Sequence, residues 1–75
     1  MERLGKRDEV KIILNGKELD IGANTSIADL LKSLDIPAGS VIIEHNRKVL
    51  GNDSLDRVIL QHGDRLEIIR VVGGG

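Results

Sequence analysis

Apolar positions along the chain follow two different periods. Val10, Ile12 and Leu14 alternate with Lys11 and Ile13, the spacing of a half-buried strand. Asn15-Gly16 follows at once, the strongest short-range hairpin signal, because both residues tolerate positive φ. Lys17 to Ile21 reads as the return strand, with Leu19 and Ile21 alternating against Glu18 and Asp20, and Gly22-Ala23-Asn24 ends it. The period then changes. Ile27, Leu30, Leu31 and Leu34 fall at i, i+3, i+4 and i+7, one apolar stripe on a helix of about two and a half turns. Ser26 and Asp29 are spaced like a variant of the capping box, and Asp29 places negative charge in the first turn, where the helix dipole favours it. Pro37 bars any continuation, and Ala38-Gly39-Ser40 reads as loop.

The second half returns to strand signals. Val41 to His45 is a third strand, Asn46-Arg47 a turn, and Lys48-Val49-Leu50 a short return strand. Gly51-Asn52-Asp53-Ser54 and Gln61-His62-Gly63-Asp64 are turn chemistry. Between them, Leu55 to Leu60 holds no clean period; a short helical turn and an irregular segment are expected. Arg65 to Val72 is predicted as the last and longest strand, with Leu66 and Ile68 on one face and Glu67, Ile69 and Val71 on the other. One helix covers only one face of four or five strands. The consistent architecture is α+β: a mixed, twisted four- to five-stranded sheet wrapped around one helix, a β-grasp (ubiquitin-like) fold. Its first and last strands lie parallel at the sheet centre. The expected core is Val10, Ile12, Leu14, Leu19, Ile21, Ile27, Leu30, Leu31, Leu34, Val41, Ile43, Leu50, Leu66 and Ile68.

Composition narrows the function. Seventy-five residues make one small domain with a modest core. There are no cysteines, hence no disulfides, thiolate ligands or cysteine nucleophile, and no aromatic residues. With 11 basic and 12 acidic residues the net charge is −1. Nucleic-acid binding is therefore disfavoured: it wants a basic footprint and stacking platforms. Apolar runs are too short to span a membrane, and the charged start lacks the apolar heart of a signal peptide, so a cytoplasmic monomer is expected. Residues 1–8 read as a flexible N-terminal extension without assigned function, 9–72 as the domain, and 73–75 as a flexible glycine tail. His45 and His62 lack ligand spacing, and no metal site is expected from them. Asp53, Asp56 and Asp64 read as caps and Asx-turns, and Arg47-Lys48 as a solvated turn.

Gly73-Gly74-Gly75 closes the sequence on a strand. Three residues without side chains bury almost no apolar area. They can, however, thread a narrow channel and let reacting atoms come close. The expectation is that the Gly75 carboxylate is itself a substrate for partner enzymes; the plainer alternative is a frayed terminus.

Three stretches together resemble the ThiS family of small sulfur carriers in thiamine biosynthesis. They are Ile12-Ile13-Leu14-Asn15-Gly16-Lys17, Ser26-Ile27-Ala28-Asp29-Leu30-Leu31, and His62-Gly63-Asp64-Arg65-Leu66-Glu67-Ile68 followed by Val71-Val72-Gly73-Gly74-Gly75. The resemblance runs from Val10 to Gly75. Molybdopterin-synthase small subunits of the MoaD family share the fold and the Gly-Gly end, but their helices more often carry aromatics. Ubiquitin is a more distant likeness, and a ubiquitin-like modifier forming isopeptide bonds through Gly75 is the alternative from another class.

The ThiS resemblance implies a protein cosubstrate, not an enzyme, with no bound cofactor and no catalytic side chain. It implies that a ThiF-type adenylyltransferase uses ATP to turn the Gly75 carboxylate into an acyl-adenylate. A persulfide sulfurtransferase then supplies the sulfur, leaving a thiocarboxylate that a ThiG-type thiazole synthase consumes. Gly73 and Gly74 serve as the tail. Since glycines recover little of their ordering entropy, docking should fall to the open sheet face: Ile42, Glu44, Glu67, Ile69 and Val71, with Ile13 nearby.

Overall fold

The computed structural model describes residues 9–71. The expected leader at 1–8, the strand end at Val72 and the tail at Gly73, Gly74 and Gly75 lie outside them. The elements run β1 (Glu9–Leu14), β2 (Lys17–Gly22), α1 (Ile27–Ser33), β3 (Val41–His45), β4 (Lys48–Leu50) and β5 (Arg65–Arg70), with single 3-10 turns at Ala38–Ser40 and Asn52–Ser54. The five strands form one sheet in the order β2-β1-β5-β3-β4. β1 and β5 pair in parallel, and the other neighbours are antiparallel. This is the expected mixed sheet on one helix, with first and last strands side by side at its centre.

Both hairpins close through left-handed turns. Asn15 and Gly16 have φ of 49° and 84°, and Asn46 and Arg47 have 51° and 72°, positive at both central positions as a type I′ turn requires. Glycine takes this conformation freely; arginine does not.

The helix start is satisfied from three directions. Ser26 Oγ accepts the Asp29 N–H at 3.0 Å, and the Asp29 carboxylate accepts the Ser26 N–H at 3.3 Å, so the capping box is complete. The N–H groups of Ile27 and Ala28 donate to the carbonyls of Val58 and Leu55, each at 3.0 Å. The irregular segment from Leu55 to Leu60 thus supplies acceptors that a buried helix start needs. It also supplies two core residues absent from the sequence expectation, because Leu55 and Leu60 are fully buried. Their spacing follows neither period, since the chain between them is neither helix nor strand.

The helix ends earlier than its apolar stripe. Leu34 is the C-cap, and Asp35 turns left-handed at φ 59°. The N–H of Ile36 donates back to the Leu31 carbonyl at 2.9 Å and that of Asp35 to the Lys32 carbonyl at 3.1 Å, the pair of bonds that defines a Schellman end. Leu34 is consequently 41% exposed, not core as the stripe implied, and Ile36 packs against the core instead. β5 is likewise shorter than expected. It stops at Arg70, although the Val71 N–H still bonds the Ser40 carbonyl at 3.1 Å. Ile12, Ile27, Leu31, Ile43 and Leu66 form the fully buried heart. Val10, Leu14, Leu19, Leu50 and Ile68 pack half-buried around it, while Ile21, Leu30 and Val41 complete the buried set.

Replacing Arg47 by glycine should raise stability in urea unfolding by about 0.5–1 kcal/mol, the left-handed cost of about 1–2 kcal/mol relieved less glycine's entropy. A loss of stability would show that Arg47 is held there by contacts of its own.

Candidate functional site

Strand alternation places the expected docking residues on one surface. Ile42 stands opposite Ile69 and Glu44 opposite Glu67 across the β3–β5 ladder. Ile43 and Ile68, one position on, face the helix side. Ile42 and Ile69 are each 43% exposed and Val71 48%. Ile13 joins them by its register with Arg65. The structure adds Val49, paired with Glu44 and 65% exposed. Its alternation with Leu50, which packs inward, was the sequence signal for it. The result is an apolar strip across β1, β5, β3 and β4 with two carboxylates at its centre. Glu44 and Glu67 are like charges directly opposite each other, an arrangement that costs stability in a sheet.

β5 is held at both flanks by asparagines from the hairpin turns. On the β1 side the Asn15 N–H donates to the Leu66 carbonyl at 2.9 Å. Asn15 Oδ1 then accepts the Ile68 N–H at 2.8 Å, and Nδ2 reaches the Ile68 carbonyl at 3.5 Å. On the β3 side the Asn46 N–H donates to the Arg65 carbonyl at 2.9 Å and Asn46 Oδ1 accepts the Arg65 N–H at 2.8 Å. Each carboxamide replaces a strand neighbour where its own strand has turned away.

The base of β5 is anchored by Asp64. Its Oδ2 accepts the Gln61 N–H at 2.9 Å and lies 2.8 Å from His45 Nε2, while Oδ1 accepts from Asn46 Nδ2 at 3.2 Å. Burial pushes the Asp64 carboxyl up, but the bonds from His45, Gln61 and Asn46 together outweigh it and hold the group below the usual carboxylate range. His62 acts elsewhere, its Nδ1 accepting the Lys11 N–H at 3.2 Å. Both histidines therefore serve the sheet, and among the described residues no group of three or more His, Cys, Asp or Glu converges on a metal position. Lys11 Nζ bridges Asp20 at 3.1 Å and Glu18 at 3.7 Å on the same outer surface, and the Asp20 bond favours its charged form. A groove between β2 and α1 is lined by Leu19, Ile21, Leu30 and Leu34 together with Asp20, Thr25, Asp29 and Ser33. These polar groups are engaged elsewhere: Asp20 with Lys11, Asp29 with Ser26, and the Thr25 and Ser33 hydroxyls donating to the Gly22 and Leu30 carbonyls. Among the described residues no helix is long and apolar enough to cross a membrane.

Comparison with known proteins gives a consistent picture. The model of the ThiS family matches residues 8–75. The sulfur carrier protein ThiS of Bacillus subtilis is 38% identical over 63 residues, covering 83% of this chain and 96% of the relative. A thiazole synthase of Paramagnetospirillum magneticum is 32% identical over 66 residues, which are 88% of this chain; the chain spans only 20% of that relative's length. The crystal structure of the thiamine biosynthesis protein ThiS from Geobacter metallireducens superposes with a TM-score of 0.76 at 30% identity, covering 88% of this chain and 100% of that one.

Asp64 sets an acid limb on stability. Its folded pKa lies below the unfolded value, so its contribution is complete above the usual carboxylate range and is lost as pH falls through the folded pKa. Chemical denaturation across acid pH should show this fall, and Asp64→Asn should flatten it while lowering stability near neutrality. An unchanged acid limb in the variant would contradict the anchoring role.

Proposed function

The chain belongs to the ThiS family, and from that premise we propose that it carries sulfur for thiazole formation in thiamine biosynthesis on a thiocarboxylate at Gly75. The observation that carries the reading is the family match running through Gly75, joined to the strand that the sheet grips on both flanks.

The chemistry needs a partner. A carboxylate resists nucleophiles, because its charge repels them and oxide is a hopeless leaving group. Attack of a Gly75 oxygen on the α-phosphate of ATP expels pyrophosphate and leaves an acyl-adenylate. The terminal sulfur of a persulfide on a sulfurtransferase then attacks the acyl carbon and expels AMP. A thiol cleaves the resulting acyl disulfide and releases the thiocarboxylate. A ThiF-type adenylyltransferase performs the first step, and a ThiG-type thiazole synthase accepts the sulfur. The thiazole synthase relative, a fifth of whose length this chain resembles, supports that pairing. This chain supplies no catalytic side chain: its part is to be recognised and to present a carbonyl carbon on bare backbone.

Recognition falls to the outer sheet face. Ordering each residue costs about 1–2 kcal/mol of backbone entropy, and glycines have no side-chain burial to offset it. Ile42, Ile69, Val71, Val49 and Ile13 offer apolar area, and the opposed Glu44 and Glu67 suit a basic group on the partner, which would relieve their repulsion.

Two outcomes test the reading. Deleting Gly75 should abolish AMP transfer by a ThiF-type enzyme while leaving the melting temperature unchanged; equal labelling of the shortened chain would overturn it. Ile69→Asp should change stability by less than about 1 kcal/mol and weaken binding to the adenylyltransferase at least about tenfold, as loss of a central contact does. Unaltered binding would remove the docking face and leave the Gly75 chemistry standing.

A further inference from the structure

The two flanks of β5 are not equally long. On the β3 side the ladder runs the full strand, from Arg65 to Arg70, and the Val71 N–H continues it onto the Ser40 carbonyl. On the β1 side only Arg65 and Leu66 have register partners, Ile13 and Leu14. There β1 turns into its hairpin, and β5 runs on without it.

Backbone parity decides what this leaves open. Arg65 and Val71 direct their N–H groups toward the β3 side, to Asn46 and Ser40. Leu66 and Ile68 turn their peptide groups toward the β1 side, where the Leu66 carbonyl accepts the Asn15 N–H, the Ile68 N–H donates to Asn15 Oδ1 and the Ile68 carbonyl accepts from Asn15 Nδ2. Arg70 has the parity of Leu66 and Ile68. Its N–H and C=O therefore point past the Asn15 side chain, and among the described residues nothing bonds them. Backbone polar groups are nearly always paired once they leave water, so this is a half-edge that begins where Asn15 stops.

The other sheet edges are blunted. β4 is three residues long, and β2 carries Lys17, Glu18 and Asp20 along its length, the usual defences against strand addition. The Arg70 half-edge lies on a six-residue strand, carries a single charged side chain, that of Arg70, and leads directly into the last five residues, Val71 to Gly75. Five residues span at most about 17 Å when fully extended, at about 3.3 Å each. Over that distance an enzyme must hold a carboxylate within reacting range, and three of the five residues present only peptide groups. Side-chain pockets cannot grip them; a strand laid alongside can.

We propose that the Arg70 half-edge, delimited by Asn15, is a strand-addition site for an extended segment of the enzyme that acts on Gly75. Main-chain hydrogen bonds supply the grip, as in other β-augmented complexes, so the segment needs an extended backbone and no particular side chains. Asn15 is a positioning residue: it completes the ladder at Ile68 and fixes where the added strand starts. This rests on the carrier reading of Gly75 and adds how the tail is aligned.

The test uses the full chain with a ThiF-type adenylyltransferase and labelled ATP. Arg70→Pro deletes the free N–H and keeps the strand geometry, which an unpaired edge position tolerates. Arg70→Ala is the reference for loss of the side chain. AMP transfer to Arg70→Pro should be at least about tenfold slower than to Arg70→Ala, as loss of a main-chain bond in a strand-added complex implies. Equal rates would overturn the strand addition while wild-type labelling upholds the carrier reading; no labelling of the wild type would sink both. Amide hydrogen exchange on the unmutated chain gives an answer free of folding effects. The Arg70 amide should exchange rapidly in the free chain and slow at least about tenfold in the complex, while Ile68, already bonded to Asn15, changes little. An Arg70 amide that exchanges equally in both states, or one already protected in a self-associated free chain, contradicts the proposal.

Discussion

The structure depends on the parallel pairing of its first and last strands. Only Ile13 with Arg65 and Leu14 with Leu66 meet in register, yet that contact joins the β1–β2 hairpin to the β3–β4 hairpin through β5. It brings Ile12 and Leu66 together at zero exposure under the helix. Parallel neighbours cannot be joined by a tight turn. The whole chain between them is the crossover, and α1 and the Leu55–Leu60 segment lie on the face it covers. Asn15 extends this short ladder with its side chain, so the hairpin turn also supports the sheet at a second place.

Strand parity gives one sheet two different faces. Ile43, Leu66 and Ile68 face the helix, while Ile42, Glu67 and Ile69 face out. A slip of one residue in either hairpin would exchange the two sets. The left-handed turns at Asn15-Gly16 and Asn46-Arg47 fix the register, and Asp64 ties the second turn to the base of β5. With no aromatic side chain available, stability comes from close packing of aliphatic residues. The outer apolar strip lies outside that buried set, its Ile42–Ile69 pair adding only a cross-strand contact.

Much of this was legible in the sequence because local chemistry and global fold agree. Asn15-Gly16 marked the first hairpin, Ser26 with Asp29 marked the helix start, and alternation in β3 and β5 sorted Ile42 and Ile69 from Ile43 and Leu66. What escaped was decided by tertiary contacts. Leu34 fits the helical stripe, but the Asp35 turn rotates the chain before it can pack. Leu55 and Leu60 are core residues without a period, buried because their segment caps the helix. The Asp64 anchor joins residues 19 positions apart, and no local rule brings His45 to it. The half-edge at Arg70 follows from where β1 stops relative to β5, a register that the pattern of either strand alone does not contain.

In the proposed carrier role the reactive group lies on backbone, and the side chains hold, align and offer the face to be recognised. The most direct test is the intact mass of the chain after incubation with a ThiF-type adenylyltransferase, ATP, a persulfide sulfurtransferase and a thiol. The account predicts exchange of one oxygen for one sulfur, located at Gly75 by fragmentation. Persistence of the unmodified mass under these conditions, or sulfur found on any other residue, would contradict it.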